Sequence, residues 1–155
     1  MNWITRERPK IDRVACPWLV LRFIDSQAQF HYVPAARVLA MAELIGAIPY
    51  DIPGVELTHV GEVCSFDAFL NKYQLDDPGL SQLATIVRGA DTSRLDLAPQ
   101  SAGLYAISLG LSATLTSDHE MLRHGLVVYD ALYAWCANLQ NEIHAWPPAG
   151  YSLAS

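Results

Sequence analysis

Paired cysteines are missing from this sequence. Its three cysteines, Cys16, Cys64 and Cys136, are odd in number, and no two stand at C-x-x-C spacing. A disulfide framework is therefore not expected, and reduced thiols in a cytoplasm are. Charge is scarce too, with 17% of residues charged against 52% hydrophobic. Long disordered tails do not have that composition. Basic charge is scarcer still, since the net charge is −6 and the sequence pI about 5.2. Such a chain lacks the electrostatic footprint of a nucleic-acid binder, and direct nucleic-acid binding is not expected. Long hydrophobic runs are absent. The most apolar stretch, AGLYAISLGLSATL, falls short of a membrane span and is interrupted by glycine and serine. It reads as a buried helix, and no membrane partner is expected. The opening MNWITRERPK lacks the apolar centre of a secretory signal. Phosphate-binding glycine loops and the G-x-S-x-G elbow are also absent.

The 155 residues fit a single domain over 1–155, long enough to bury a core unaided. NWIT and AQFHYVP read as short strands. CPWLVLRFID carries Pro17 where a first helical residue would stand, so Cys16 is expected at the N-cap. AARVLAMAELIGA reads as a helix ending near Gly46. SFDAFLNKYQL reads as a helix capped by Ser65, and DDPGLSQLATIVRGAD as one with Pro78 in its first turn. SDHEMLRHG opens with a capping box from Ser117 to Glu120. The segment that follows is one long helix, or two joined near Gly125, stopped by the WPP at 146–148. The expected class is mainly α (α+β), a compact helical domain with a few short strands in the N-terminal half.

Four places could carry chemistry. At the first, Arg6, Lys10, Arg13 and Cys16 cluster before a helix start. Free N–H groups and basic side chains would suit a small oxyanion, and would favour a Cys16 thiolate. The plainer reading is a buried cysteine beside an ion-paired arginine. At the second, THVGEVCSFD gathers His59, Glu62, Cys64 and Asp67, donor types that suit a divalent transition metal such as zinc, iron or manganese. A polar loop is the alternative. At the third, His119 in the first turn of its helix could add a ligand from afar. His119, Glu120 and His124 miss the H-E-x-x-H spacing by one residue. Asp130 lies on the same face about three turns on, roughly 16 Å from His119, too far to share its ion. At the fourth, Arg88, Asp91, Arg94 and Asp96 alternate in sign, and Asp91 could orient a ligand of the site.

Taken in order, TRERPKIDRVACPWLVLRFID, DIPGVELTHVGEVCSFD, IVRGADT, APQSAGLYAISLGLS, SDHEMLRHG and YDALYAWC resemble the C-terminal domain of the ChrB-type chromate-resistance family. The resemblance runs from Thr5 to about Cys136. It implies a role in chromate resistance and chromate-responsive control, with chromate or a related small oxyanion as the partner. Arg13, Cys16, His59, Glu62, Cys64, Asp91, His119 and Asp130 all fall in the family-like stretches. The expected metal set is His59, Glu62, Cys64 and His119, and the expected oxyanion set is Lys10, Arg13 and Cys16. Asp91 and Asp130 are expected as supporting residues. Whether the domain is catalytic is open. A sensor or interaction module without turnover, a homodimer, and a thiol reductant centred on Cys16 are the rival expectations.

Overall fold

The computed structural model describes residues 1–144. Three short parallel strands, β1 (Asn2–Arg6), β2 (Gln29–Val33) and β3 (Ile48–Pro49), form a sheet in the order β2-β1-β3. The central strand alternates between two buried faces. Trp3 joins the main core, whereas Ile4 packs on the other side against Val38, Ala42 and Ile52.

The helices are α1 (Asp12–Leu19), α2 (Val38–Ile45), α3 (Ser65–Lys72), α4 (Pro78–Asp91), α5 (Ser101–Thr114) and α6 (Asp118–Ala134). The α+β class expected from the sequence is the one found. Gly46 closes α2 in a left-handed conformation, as glycine does most readily. Asp77 caps α4 by accepting from Leu80 N–H at 2.9 Å. Single-turn π-helical segments extend α1 at Val20–Ile24 and α6 at Trp135–Leu139. The helical chain thus stops before the WPP at 146–148, which lies outside the described residues.

Three expectations are corrected. Cys16 is not an N-cap, because α1 begins at Asp12 and takes Pro17 into its interior. The proline cannot donate to Arg13 C=O, one turn back; the Tyr50 hydroxyl approaches that carbonyl at 3.5 Å instead. The N-cap of α3 is Cys64, not Ser65, and Asp67 completes the reciprocal box by accepting from Cys64 N–H at 3.0 Å. Helix α5 is not buried. It inserts Ser101, Leu104 and Ser108 and leaves Tyr105, Ile107 and Leu109 exposed.

Helix α6 is a single unbroken helix through Gly125. There it passes so close to α1 that any Cβ on Gly125 would overlap the Val14 side chain. One turn later the Tyr129 hydroxyl donates to Ile11 C=O at 3.0 Å, fixing the residue before α1. Ile11 holds a positive φ of 45°, a conformation that needs such external support. Gly125→Ala is expected to lower the unfolding free energy by about 1–3 kcal/mol in urea denaturation. Gly103→Ala, where the added methyl meets open space on α5, should be neutral or slightly stabilising.

Candidate functional site

The parallel sheet directs the ends of β1 and β3 to one edge, and the site lies there. β1 ends at Arg6, and the loop to α1 is held by Arg8. Its guanidinium donates to Ser112, Leu115 and Thr116 carbonyls at 2.5, 3.2 and 3.1 Å, at the carboxyl end of α5. Asp12 then opens α1 as a fully buried acid. Its carboxylate accepts from Ser65 N–H at 2.6 Å and Phe66 N–H at 3.1 Å, two donors at the start of α3 that have no partner within their own helix. The positive end of α3 therefore faces Asp12.

Asp51 follows β3 and adopts φ 51°. It is held from three sides. Ser65 Oγ donates to it at 2.8 Å, Arg6 Nη2 at 3.2 Å, and Arg13 Nε lies 3.4 Å away. His59 projects from the base of a tight turn in which Val60 and Val63 exchange N–H···O=C bonds of 3.2 Å. Gly61 supplies the left-handed residue that this turn requires. Asp91 is the last residue of α4. That is the negative end of a helix, where an acid is locally unfavourable. Its compensation comes from other elements: Asp12 N–H approaches it at 3.4 Å and His59 Nε2 at 2.9 Å.

His59 is the centre of the arrangement. Its Nε2 lies 2.9 Å from Asp91, 3.3 Å from Asp51 and 3.4 Å from Asp12. Among the described residues, Asp12, His59 and Asp91 are the group whose ligand atoms come close enough together to hold one ion. The hydrogen bond that His59 donates to Asp12, followed by the charges of Asp12, Asp91 and Asp51, raises the His59 pKa to about 9. Burial, followed by the charges of Asp12 and Asp51, raises Asp91 to about 7. Burial likewise raises Asp12. The three acids are crowded in a partly dry place, where burial and like charge both disfavour their ionised forms.

Of the residues singled out in the sequence, the structure brings His59, Asp91 and Arg13 to the site and places most of the others elsewhere. Glu62 is exposed and lines a neighbouring cavity of about 420 Å³ with Arg88 and Arg94. Cys64 is buried, its thiol directed at Asp67 at 3.3 Å and its pKa pushed up by burial. Arg88 grips that same Asp67 through two hydrogen bonds. His119 lies edge-on to Tyr32, with ring centroids 5.5 Å apart, on α6. None of Glu62, Cys64 and His119 joins the His59 group. Asp130 accepts from Trp18 Nε1 at 2.7 Å and from both Nε and Nη2 of Arg22. Lys10 lies in the turn before α1, where its carbonyl accepts from Arg13 N–H. Cys16 is fully buried inside α1 and donates to Asp12 at 3.6 Å. Burial, and then the charge of Asp12, holds its pKa well above the usual thiol value. The helix-start environment that would have favoured a thiolate is absent. Asp12 and Asp51 carry no motif that marks them in the sequence. Asp12 would have needed the knowledge that α1 starts four residues before Cys16.

Residues 3–136 match the family model described as ChrB, C-terminal domain. The chain belongs to this family. It is 33% identical over 133 residues to Protein ChrB of Cupriavidus metallidurans, an alignment that covers 85% of this chain and 40% of that protein. The chain thus spans well under half the length of that relative. No solved structure gives a significant match. The matched range contains all four residues of the acid–histidine group. No helix among the described residues is long and apolar enough to cross a membrane.

The raised pKa values make stability depend on pH in a stated direction. His59 binds its proton more tightly folded than unfolded, so its contribution is complete below about 6.5 and is lost as pH rises through about 9. Asp91 acts in the same sense through about 7. The thermal midpoint of protein kept in chelator is therefore expected to fall as pH is raised across this interval. His59→Gln should flatten the upper part of that fall. A midpoint that climbs with pH would contradict this account of the cluster.

Proposed function

We propose that this ChrB-family domain serves chromate resistance as a cytoplasmic, metal-binding and oxyanion-responsive module. The observation that carries the reading is the convergence of Asp12, Asp51 and Asp91 on one nitrogen of His59. These residues come from four separate segments of the chain. Packing alone gives no reason to collect three acids at one half-buried imidazole. The spacing suits an ion, since bonds of about 2.0–2.2 Å place ligand atoms roughly 3 Å or a little more apart. An oxygen-rich set with one imidazole suits manganese or iron as well as zinc. Asp12, His59 and Asp91 would hold the dication, with Asp51 beside them. Such an ion supplies Lewis acidity where an anion could bind. The domain's own residues do the rest. Ser65 and Phe66 N–H groups orient Asp12, whereas Arg6 and Arg13 set the charge beside Asp51.

A module that binds and signals without turnover is the second reading. The apolar side chains of Tyr105, Ile107 and Leu109 on α5 favour it, because exposed apolar faces suit protein contacts. Its mark would be a chromate-dependent rise in thermal midpoint without any loss of chromate.

Calorimetric titration with Mn²⁺ or Zn²⁺ tests the first reading. One equivalent should bind, and His59→Ala or Asp91→Asn should weaken binding by at least about tenfold. Glu62→Ala and His119→Ala should leave it unchanged. Binding requires the neutral imidazole, so affinity should climb with pH up to about 9 and protons should be released into the buffer. If no metal binds, or if His59→Ala binds as tightly as the parent, the reading fails.

A further inference from the structure

We infer that the site becomes an anion-binding site only when it holds a divalent cation, and that Arg6 is the side chain that receives the anion. The inference rests on the metal reading above and concerns what that metal changes.

The formal charges at the sheet edge are Asp12, Asp51 and Asp91 against Arg6 and Arg13. With the imidazole neutral, as a ligand must be, three acids outweigh two guanidiniums by one. With all three acids ionised, a protonated His59 brings the group to neutrality and no further. In either state an approaching dianion meets no net attraction. A dication reverses the sign and leaves one net positive charge. The groups concerned are partly or wholly buried, where charges act over short distances with little screening.

Burial decides which residue meets the anion. Asp12 is fully buried, and the side chains of Asp51, Arg13 and Asp91 are 7%, 15% and 16% exposed. Arg6 and His59 stand at 39% and 38% and form the rim. Arg13 turns inward, its Nη1 donating to Arg6 and Glu7 carbonyls at 3.3 and 3.0 Å and its Nε facing Asp51. Burial and the nearby charge of Arg6 lower the Arg13 pKa, the mark of two guanidiniums crowded together. Arg6 spends Nη2 on the Asp51 carbonyl and carboxylate. Its Nε–H is shielded from solvent and has no hydrogen-bond partner among the described residues. A buried donor without an acceptor is costly, and a turn of the half-exposed Arg6 side chain would bring it to an anion oxygen at the rim. A guanidinium with an unpartnered N–H suits an oxygen of a tetrahedral oxyanion or a carboxylate. The ligand class is a small oxyanion of charge −2, bound between Arg6 and the metal.

Sulfate, a tetrahedral dianion, is the probe, titrated calorimetrically into the full chain with and without saturating Mn²⁺. Sulfate should bind at least about tenfold more tightly to the Mn²⁺-loaded protein. By linkage, sulfate should tighten Mn²⁺ binding by the same factor. Arg6→Gln should abolish the gain yet leave Mn²⁺ affinity equal or stronger, because a repelling positive charge has gone. A merely structural role for Arg6 predicts the opposite, a loss of Mn²⁺ affinity. Arg6→Lys should restore part of the sulfate gain, which separates charge from fold. Sulfate binding that ignores Mn²⁺, or a gain that survives in Arg6→Gln, overturns this inference alone. Absence of Mn²⁺ binding overturns it together with the metal reading.

Discussion

The buried carboxylate of Asp12 is the interaction on which the site depends. It begins α1, and it occupies the free N–H groups of Ser65 and Phe66 at the start of α3. A charged group with no exposure is tolerated only where donors surround it. Here the backbone of one helix end supplies them, so two helices are locked in position by one side chain. The turn bearing His59 leads directly into α3, and Asp12 N–H reaches Asp91 at the end of α4. One residue thus sets the relative placement of three helices and of the histidine among them.

The surrounding structure serves that placement. Gly125 lets α6 come close enough for Tyr129 to hold Ile11 in its positive-φ conformation. Arg8 fastens the β1–α1 loop to the far end of α5. Asp67 ties α3 to α4 through Arg88 while also capping its own helix. Each contact is modest alone, and together they fix the sheet edge where four distant segments meet. Asp91 at a helix C-terminus and Asp51 at positive φ both break local preferences. Violations of that kind gather at functional sites more than elsewhere.

The sequence was most readable where a local signal decides the outcome. Gly46, Pro78 and the Ser117–Glu120 box mark helix ends that the fold contains. His59 and Asp91 stood out by residue type and loop context, and the fold brings them to 2.9 Å. Misreadings arose where tertiary contacts override local preference. Pro17 looked like a helix start, but the Tyr50 hydroxyl approaches the carbonyl that the proline leaves open. Helix α5 looked buried on composition, yet Ser101, Leu104 and Ser108 are its only buried residues. Glu62 and Cys64 neighbour His59 in sequence, but the tight turn and the start of α3 direct them elsewhere. Sequence proximity is a poor guide to a ligand set assembled from four separate segments.

That dispersal governs when the site can exist. Asp12 and Asp91 are 79 residues apart along the chain, so their meeting requires closure of a long loop and docking of α4 against α1 and α3. The entropy of such closure must be met before the contact yields any gain. No fragment ending before Asp91 contains the acid–histidine group, and a partly folded chain presents its members singly. A cation selective for the assembled group would discriminate the finished fold from every earlier state, and would stabilise it by mass action alone. The cluster is in this sense a mark of the completed fold, since its long-range contacts to Asp91 do not exist before α4 has docked.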